Sequence, residues 1–204
     1  MPNIKLPTGV DLYYESHGQG EPLIFVPSTA YSGEVWKPSQ MPLAQSLNII
    51  FHDPRGCGRS VATQSVYTIE QMALDIVALM DHLKLVSAHL IGHSMGGRIA
   101  LSLAENFPGR VKSLIMAASG SGPAARPGSD CIPGLPHRLV LDMVEMGFEK
   151  FVHDEIVDSD TFFTREYRER HRDKVEAFFK LFWATHAKLP EFIHLCIARH
   201  NFEG

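Results

Sequence analysis

The sequence predicts an α/β fold, in which a mostly parallel sheet carries helices on both faces and an all-helical cap follows. Between residues 22 and 118, short continuous apolar runs alternate with segments of helical periodicity. This order requires crossover connections, and crossovers join parallel strands. Beyond residue 119 the strand pattern disappears, and the apolar residues keep helical spacing. We therefore predict a core over residues 1–120 and a linker with a helical cap over residues 121–204.

The predicted core begins with a hairpin and continues with four buried strands. Residues 3–17 form two short β-favouring stretches around the turn sequence PTG at residues 7–9. A continuous apolar run, typical of a strand covered on both faces, lies at residues 23–26, and further strands rich in apolar residues are predicted at residues 48–51, 88–92 and 111–117. We expect these four strands to form the parallel part of the sheet.

Helices are predicted between these strands and after them. Thr68 begins a capping box, and apolar residues follow at helical spacing as far as Lys84. A second helix starts after Ser94 and stops at the Pro-Gly pair at residues 108–109. The segment 119–136 is rich in glycine and proline and predicts a linker. Three further helical segments are predicted at residues 139–152, 162–186 and 190–200.

Composition narrows the class of partner. The chain of 204 residues has a formal net charge of −4 and no cluster of Lys and Arg, which argues against nucleic acid or an anionic membrane and favours a small-molecule substrate. No signal peptide and no membrane span are recognisable, so we expect a cytoplasmic protein. The three cysteines and eleven histidines match no metal-binding pattern, so neither a metal nor another cofactor is expected.

A glycine-rich stretch at residues 88–97 carries the main functional motif. Gly92, Ser94 and Gly96 fit G-x-S-x-G, in which a serine occupies a strained turn between a strand and a helix. The turn is tolerable only where the residues two before and two after lack bulky side chains. The N-terminus of the following helix stabilises negative charge beside the serine. The alternative interpretation is a glycine-rich turn with a helix-capping serine.

Four segments in the expected order resemble the α/β-hydrolase superfamily, in particular its single-domain branch with a helical cap. Residues 92–97 (GHSMGG) resemble the nucleophile elbow, and residues 53–60 (DPRGCGRS) are similar to the D-x-R-G-x-G-x-S loop of that family. Residues 32–36 (SGEVW) resemble the helix start after the oxyanion loop. The helix at 68–84 takes the place of the helix that precedes the elbow strand.

The resemblance implies a serine hydrolase acting on a small ester, lactone, amide or related carbonyl substrate. Ser94 would attack the carbonyl carbon and form an acyl-enzyme that water then hydrolyses. The Met95 N–H would donate to the oxyanion, with Thr29 as the second donor and Ser28 as the alternative. The family usually has His-Gly at this point, whereas this chain has Pro27 and Ser28, and a proline nitrogen cannot donate.

The substrate pocket is expected between the strand ends and the cap. His93 precedes the nucleophile on a strand, where adjacent side chains point to opposite faces, so we interpret it as a packing or pocket residue and not as the base. The aromatic residues at 162–163 and 178–183 form either an apolar lid over the pocket or the core of the cap. The predicted pocket residues are Ser28, His93, Ser119, Phe178, Phe182 and Trp183.

The sequence does not identify the general base or the acid. In the family resembled, the acid follows a later strand and the histidine follows the last one, and neither strand is predicted here. A sheet that ends at four parallel strands exposes an apolar edge, so we expect a second polypeptide or another copy to complete the sheet. We expect the acid and the histidine on another polypeptide, with this chain as a fragment, a processed product or one half of a split protein. In the alternative, the chain uses its own residues. The candidates are Asp130 or Asp154 as acid and His137, His153, His186, His194 or His200 as base.

Two other functions stay open at the level of sequence. A non-catalytic hydrolase-like module would keep the pocket for a ligand or a surface for a partner, and incomplete triads occur in such proteins. Acyl transfer or perhydrolysis would use the same acyl-enzyme. Labelling of Ser94 by a fluorophosphonate distinguishes an enzyme from a non-catalytic module. Product analysis with competing acceptors distinguishes acyl transfer or perhydrolysis from hydrolysis.

Overall fold

One mixed sheet is the centre of the fold in the computed structural model, which describes residues 3–62, 67–120 and 137–200. Its seven strands are β1 (Asn3–Lys5), β2 (Val10–His17), β3 (Glu21–Val26), β4 (Leu47–His52), β5 (Val61–Ala62), β6 (Ala88–His93) and β7 (Val111–Ala117). They lie in the order β1-β2-β4-β3-β6-β7, with β5 paired to β2.

The direction of the strands confirms the predicted fold class. β4, β3, β6 and β7 are parallel neighbours, as predicted for these four strands. β1 and β2 form the predicted antiparallel hairpin, and β2 also pairs antiparallel with β4. The sequence did not predict β5, because two residues are too few to show a period.

Helices cover both faces of the parallel strands. α1 (Lys37–Gln40) precedes β4, α2 (Ile69–His82) follows β5, and α3 (Met95–Asn106) follows β6. On one face, Ile24 and Val26 of β3 join the cluster that contains the buried residues of α2 and α3. On the other face, Leu23 and Phe25 pack with Trp36. The alternation along β3 explains why a strand buried on both sides reads as a continuous apolar run.

In its described part, the chain after residue 136 contains helices joined by turns and no strand, as predicted. The C-terminal helices are α4 (His137–Met146), α5 (Phe148–His153), a π-helical turn (Asp154–Asp158), α6 (Arg165–Arg170), α7 (Arg172–Thr185) and α8 (Leu189–His200). The predicted helix 139–152 is divided at Gly147, which has a φ of 82°, and 162–186 is divided at His171. The predicted linker at 121–136 lies outside the described residues. Among the described helices, none is long and apolar enough to span a membrane.

Asp53 fixes two loops at the carboxyl end of the sheet. It follows β4, and its fully buried carboxylate accepts hydrogen bonds from the Gly33 N–H at 2.9 Å and from the Arg59 N–H at 2.9 Å. The Ser60 hydroxyl donates to the Asp53 carbonyl oxygen at 2.5 Å. These charge-assisted hydrogen bonds hold the loop after β3, through Gly33, next to the loop after β4, through Arg59.

A buried carboxylate on β2 makes the stability depend on pH. Burial opposes ionisation of Glu15, but hydrogen bonds from Lys37 at 2.5 Å, from Tyr13 at 2.8 Å and from His17 at 2.9 Å outweigh it and lower the pKa of Glu15 to about 2. The unfolded chain therefore takes up this proton first as the pH falls. We expect the free energy of unfolding to decrease between pH 4.5 and about 2.

Glu15→Gln tests this dependence. Urea unfolding at a series of pH values should show a smaller loss of stability in acid for Glu15→Gln than for the wild type, because the variant has no carboxyl group to protonate. The control is Glu105→Gln, which changes an exposed residue of α3. An identical acid profile for wild type and Glu15→Gln would contradict the assignment.

Candidate active site

Ser94 occupies the turn between β6 and α3. Its φ of 52° and ψ of −118° are unusual for a residue with a side chain and store strain of the kind found at functional sites. Two hydrogen bonds hold the turn: the Ser94 N–H donates to the Ala117 carbonyl oxygen at 2.9 Å, and the Gly97 N–H donates to the Ser94 carbonyl oxygen at 3.0 Å. The geometry is that of the predicted strand-turn-helix element.

The glycines beside Ser94 are required by close approach of the backbone. A Cβ on Gly92 would overlap the backbone of Gly96 and Gly97. A Cβ on Gly96 would overlap the carbonyl oxygens of Val26 and Pro27, the latter at 2.5 Å. The spacing of the motif therefore lets α3 start directly against the ends of β3 and β6.

The residues of the predicted oxyanion donors lie at the same carboxyl end of the sheet as Ser94. Val26 at the end of β3 pairs with Gly92 of β6, so the loop after β3 runs beside the turn that contains Ser94. Met95 is the first residue of α3, where a backbone N–H has no partner within the helix. Thr29 lines the same cavity as Ser94, and its buried hydroxyl has no hydrogen-bond partner among the described residues.

The C-terminal helices also hold the loop that carries Thr29. The Ala187 N–H, in the connection between α7 and α8, donates to the Ala30 carbonyl oxygen at 3.0 Å. The Ser32 hydroxyl donates to the Thr185 hydroxyl at 2.8 Å. Ala30 has a φ of 67°, so the loop is itself strained and is held from both sides.

A cavity of about 860 Å³ opens between the strand ends and the C-terminal helices. This volume is in the range of small-molecule sites. The predicted site residues that line it are Ser28, Thr29, His93, Ser94, Phe178 and Phe182. Phe162 and Phe163, named above in the aromatic segments, also line it. Lining residues that the sequence reasoning missed include Tyr31, Trp36, Met143, Phe151, Glu155 and Phe192.

Ser119 and Trp183 are not among the residues that line the cavity. The Ser119 hydroxyl instead donates to the Ser94 carbonyl oxygen at 2.6 Å. The Trp183 ring stacks on His186 with 4.0 Å between the ring centroids, and on Phe179. Ser119 therefore supports the turn, and Trp183 packs within the C-terminal helices.

Removing the Ser119 hydroxyl should loosen the nucleophile turn. We expect Ser119→Ala to lower the free energy of unfolding by about 1 kcal/mol, because the Ser94 carbonyl oxygen loses a hydrogen bond. Urea unfolding measures this difference. The control is Ser46→Ala, which changes an exposed loop residue. Equal stability of Ser119→Ala and the wild type would show that this hydrogen bond does not support the turn.

His93 lies in the cavity but is not aligned as a base. Its ring packs against Tyr31 and Trp36, at centroid distances of 6.4 and 6.3 Å. Burial lowers the pKa of His93 below its usual value, so the ring is neutral at pH 7. Within the described part of the chain, no hydrogen bond joins His93 to the Ser94 hydroxyl. The position agrees with a pocket residue.

The other proposed base and acid residues lie away from Ser94. His186 contacts the Trp183 carbonyl oxygen at 2.7 Å, His194 packs on the Tyr67 ring, and neither lines the cavity. His153 and Asp154 do not line the cavity either, and the His153 Nδ1 lies 3.6 Å from the Asp154 Oδ1. Asp130 and the side chains of His137 and His200 lie outside the described residues. The described residues therefore bring together the serine and the loop that carries the predicted donor Thr29, and His93 is the one described histidine side chain that lines the same cavity.

One group of side chains has the donor atoms of a metal site. His153, Asp154 and Asp158 offer ligand atoms within 4.8 Å of one another. Lys150 and Arg172 already form ion pairs with the two carboxylates, at 2.6 and 2.9 Å. This group is part of a surface charge network and does not line the cavity.

The chain has an α/β fold with a mostly parallel sheet and a strained serine between a strand and a helix. The sequence pattern of the family described as the alpha/beta hydrolase fold matches residues 21–199, and the chain belongs to this family. The resemblance seen in the sequence is thereby confirmed.

Individual relatives are hydrolases by name. Over 117 residues the chain is 37% identical to RutD of Caulobacter sp. (strain K31), assigned as a carbamate hydrolase; the match covers 55% of this chain and 44% of RutD. The chain thus spans less than half the length of this relative. A carboxylesterase structure from Nitrososphaera gargenis matches with a TM-score of 0.81 at 22% identity, over 100% of this chain and 73% of that one. The enol-lactonase from Burkholderia xenovorans LB400 matches with a TM-score of 0.79 at 23% identity, over 99% and 74%.

Proposed function

We propose that this chain carries the nucleophile and the oxyanion donors of a serine hydrolase that acts on a small ester, lactone, amide or carbamate. The observation that carries the proposal is the backbone conformation of Ser94, with a φ of 52°, at the carboxyl end of β6. Strain of this kind persists only where the surrounding structure maintains it. The carbamate hydrolase, carboxylesterase and enol-lactonase relatives support the same class of reaction.

The proposed reaction begins when the Ser94 oxygen attacks the carbonyl carbon and loses its proton to a base. The electron pair of the carbonyl bond moves to its oxygen, which the N–H groups of Met95 and Thr29 stabilise. Collapse of this intermediate expels the leaving group, which takes a proton, and leaves an acyl-enzyme. Water then releases the acid by the same steps. With a competing nucleophile in place of water, the same intermediate gives acyl transfer or perhydrolysis.

We further propose that the base and acid come from outside this chain. Two observations support this. Other than His93, the histidines whose side chains are described do not line the cavity. The outer edge of β7 pairs with no strand in the described part of the chain, and Ile115 on this strand is 54% exposed. An open apolar strand edge favours coverage by further polypeptide.

The C-terminal helices are proposed to act as a cap over the site. Their residues Phe151, Phe178 and Phe182 line the cavity opposite Ser94, which supports this division of the chain near residue 120. A cap of apolar side chains excludes water and strengthens electrostatic interactions at the reacting carbonyl.

Fluorophosphonate labelling tests the proposal. In the natural protein, together with any polypeptide that completes it, a fluorophosphonate should modify Ser94, because the reagent requires an activated serine. The 204-residue chain alone should react much more slowly, since its described residues place no base beside the serine. Absence of labelling in the natural protein would refute the proposal that it is a serine hydrolase.

A non-catalytic binding module is the second candidate. The observation that favours it is the missing base among the described residues that line the cavity. Such a module would bind a carbonyl ligand without reacting with the fluorophosphonate. Labelling therefore separates the two candidates.

The open edge of β7 makes a prediction about assembly. We expect the 204-residue chain on its own to self-associate, because no described residue pairs with the outer backbone groups of β7 and the Ile115 side chain on this strand is exposed. Light scattering measures the mass in solution. A stable, monodisperse monomer would contradict the requirement for further polypeptide.

A further inference from the structure

One charged side chain faces the otherwise uncharged candidate cavity. Among the described residues that line the cavity, Glu155 is the only Asp, Glu, Lys or Arg. It lies in the π-helical turn, in which the Ser159 N–H donates to the Asp154 carbonyl oxygen at 2.9 Å. This turn ends the helix, because Ser159 already has an extended backbone conformation.

Glu155 belongs to the apolar stripe that faces the cavity. Phe151, Val152 and Ile156 line the cavity together with it, at the spacing of one helix face. Val152 and Ile156 are 6% and 1% exposed, and Phe151 and Glu155 are half-buried. A carboxylate on such a stripe is partly removed from water, which is unfavourable unless a partner compensates it.

The neighbouring carboxylates have such partners within the chain. Asp154 forms an ion pair with Lys150, Asp158 with Arg172, and Asp160 with Arg168. For Glu155, no ion pair with a Lys, Arg or His occurs in the described ranges. Its side-chain hydrogen bond within the described ranges is with a neutral group: the Thr161 hydroxyl, itself on the cavity wall, donates to the carboxylate at 2.9 Å.

Aromatic side chains line the same cavity as this carboxylate. Phe162 and Phe163 follow Thr161 directly, and both line the cavity. A carboxylate beside aromatic rings suits a cationic nitrogen, because ion pairing and the negative ring faces act together. A carboxylate or phosphate group on a substrate would instead be repelled.

We propose that Glu155 is a specificity-determining residue that binds an ammonium group of the substrate, so that the site selects cationic over anionic carbonyl compounds. This inference rests on the proposed function, because it takes the cavity that holds Ser94 as the substrate site. The substrate class it names is an ester, lactone, amide or carbamate that carries an apolar body and an amine.

Binding of three matched probes tests the assignment without any reaction. Phenylbutylamine, phenylbutanol and phenylbutyrate share one apolar body and are cationic, neutral and anionic at neutral pH. Isothermal titration calorimetry with the natural protein should show the amine binding about tenfold tighter than the alcohol, and the carboxylate more weakly than the alcohol. High salt should reduce these differences.

Two substitutions make the test specific. Glu155→Gln keeps the shape and a hydrogen-bond acceptor for Thr161, so it should lower the affinity for the amine about tenfold and leave the affinity for the alcohol unchanged. Unchanged binding of the alcohol also shows that the variant is folded. Glu145→Gln, which changes an exposed residue of α4, should leave all three affinities unchanged.

Three results would overturn the proposal. They are equal affinity for the amine and the carboxylate, an amine preference that survives Glu155→Gln, and failure of all three probes to bind. Ser94→Ala should retain the amine preference, since binding needs no nucleophile. A Glu155-dependent preference without fluorophosphonate labelling would reject the hydrolase alone, and labelling without the preference would reject the role of Glu155 alone.

Discussion

Ser94→Ala should reduce kcat/KM for a short-chain ester by at least about 10⁴-fold, on the order seen when a hydrolase loses its nucleophile. The proposed acyl-enzyme cannot form without the hydroxyl, and the N–H groups of Met95 and Thr29 can then stabilise only direct attack by water. Hydrolysis of a nitrophenyl ester by the natural protein, followed by absorbance, measures the loss.

The matched control is Ser39→Ala, the same substitution at another serine of the cavity wall. It should leave kcat/KM within about twofold, because the Ser39 hydroxyl makes only exposed hydrogen bonds, donating to the Trp36 carbonyl oxygen at 3.3 Å and accepting from the Gln40 side chain at 3.1 Å. Activity retained by Ser94→Ala, or lost equally in both variants, would show that the reaction does not pass through Ser94.

Gly96→Ala should have the largest effect on folding, a loss of about 4 kcal/mol or more of the free energy of unfolding. The added Cβ would overlap the carbonyl oxygens of Val26 and Pro27, which are backbone atoms at the end of a central strand. To make room, α3 must move away from β3, and the Met95 N–H moves with it. Urea unfolding gives the stability, and fluorophosphonate labelling should be lost as well.

Gly109→Ala is the matched control, because a Cβ on Gly109 would meet no atom within 4 Å. We expect its stability to stay within about 0.5 kcal/mol of the wild type. If Gly96→Ala unfolded at the same urea concentration as Gly109→Ala, the close approach of α3 to β3 would not be required for the fold.

The sequence predicts the sheet and the nucleophile turn because both depend on local patterns. The continuous apolar run of β3 reflects burial on two faces, and Gly92, Ser94 and Gly96 reflect a turn that few other residues allow. The breaks at Gly147 and His171 within the C-terminal helices were not predicted, because amphipathic spacing continues across both of them.

Long-range partners are what the sequence could not predict. Arg55 is fully buried and donates to Asp75 at 2.7 and 2.8 Å, across 20 residues of sequence, and no local pattern reveals this pairing. The role of Ser119 is likewise visible only once β7 lies beside β6. Glu155 is a carboxylate on an apolar helical stripe, but the sequence does not distinguish it from the acidic residues that surround it.

The acyl-enzyme itself is the most direct test of the account. The natural protein is mixed with a slowly hydrolysed ester, quenched in acid and digested with trypsin, which releases residues 85–98 as one peptide. We predict that this peptide gains the mass of the acyl group and that fragmentation assigns the mass to Ser94. Turnover of the ester with an unmodified peptide, or with the acyl group on another residue, would contradict Ser94 as the nucleophile.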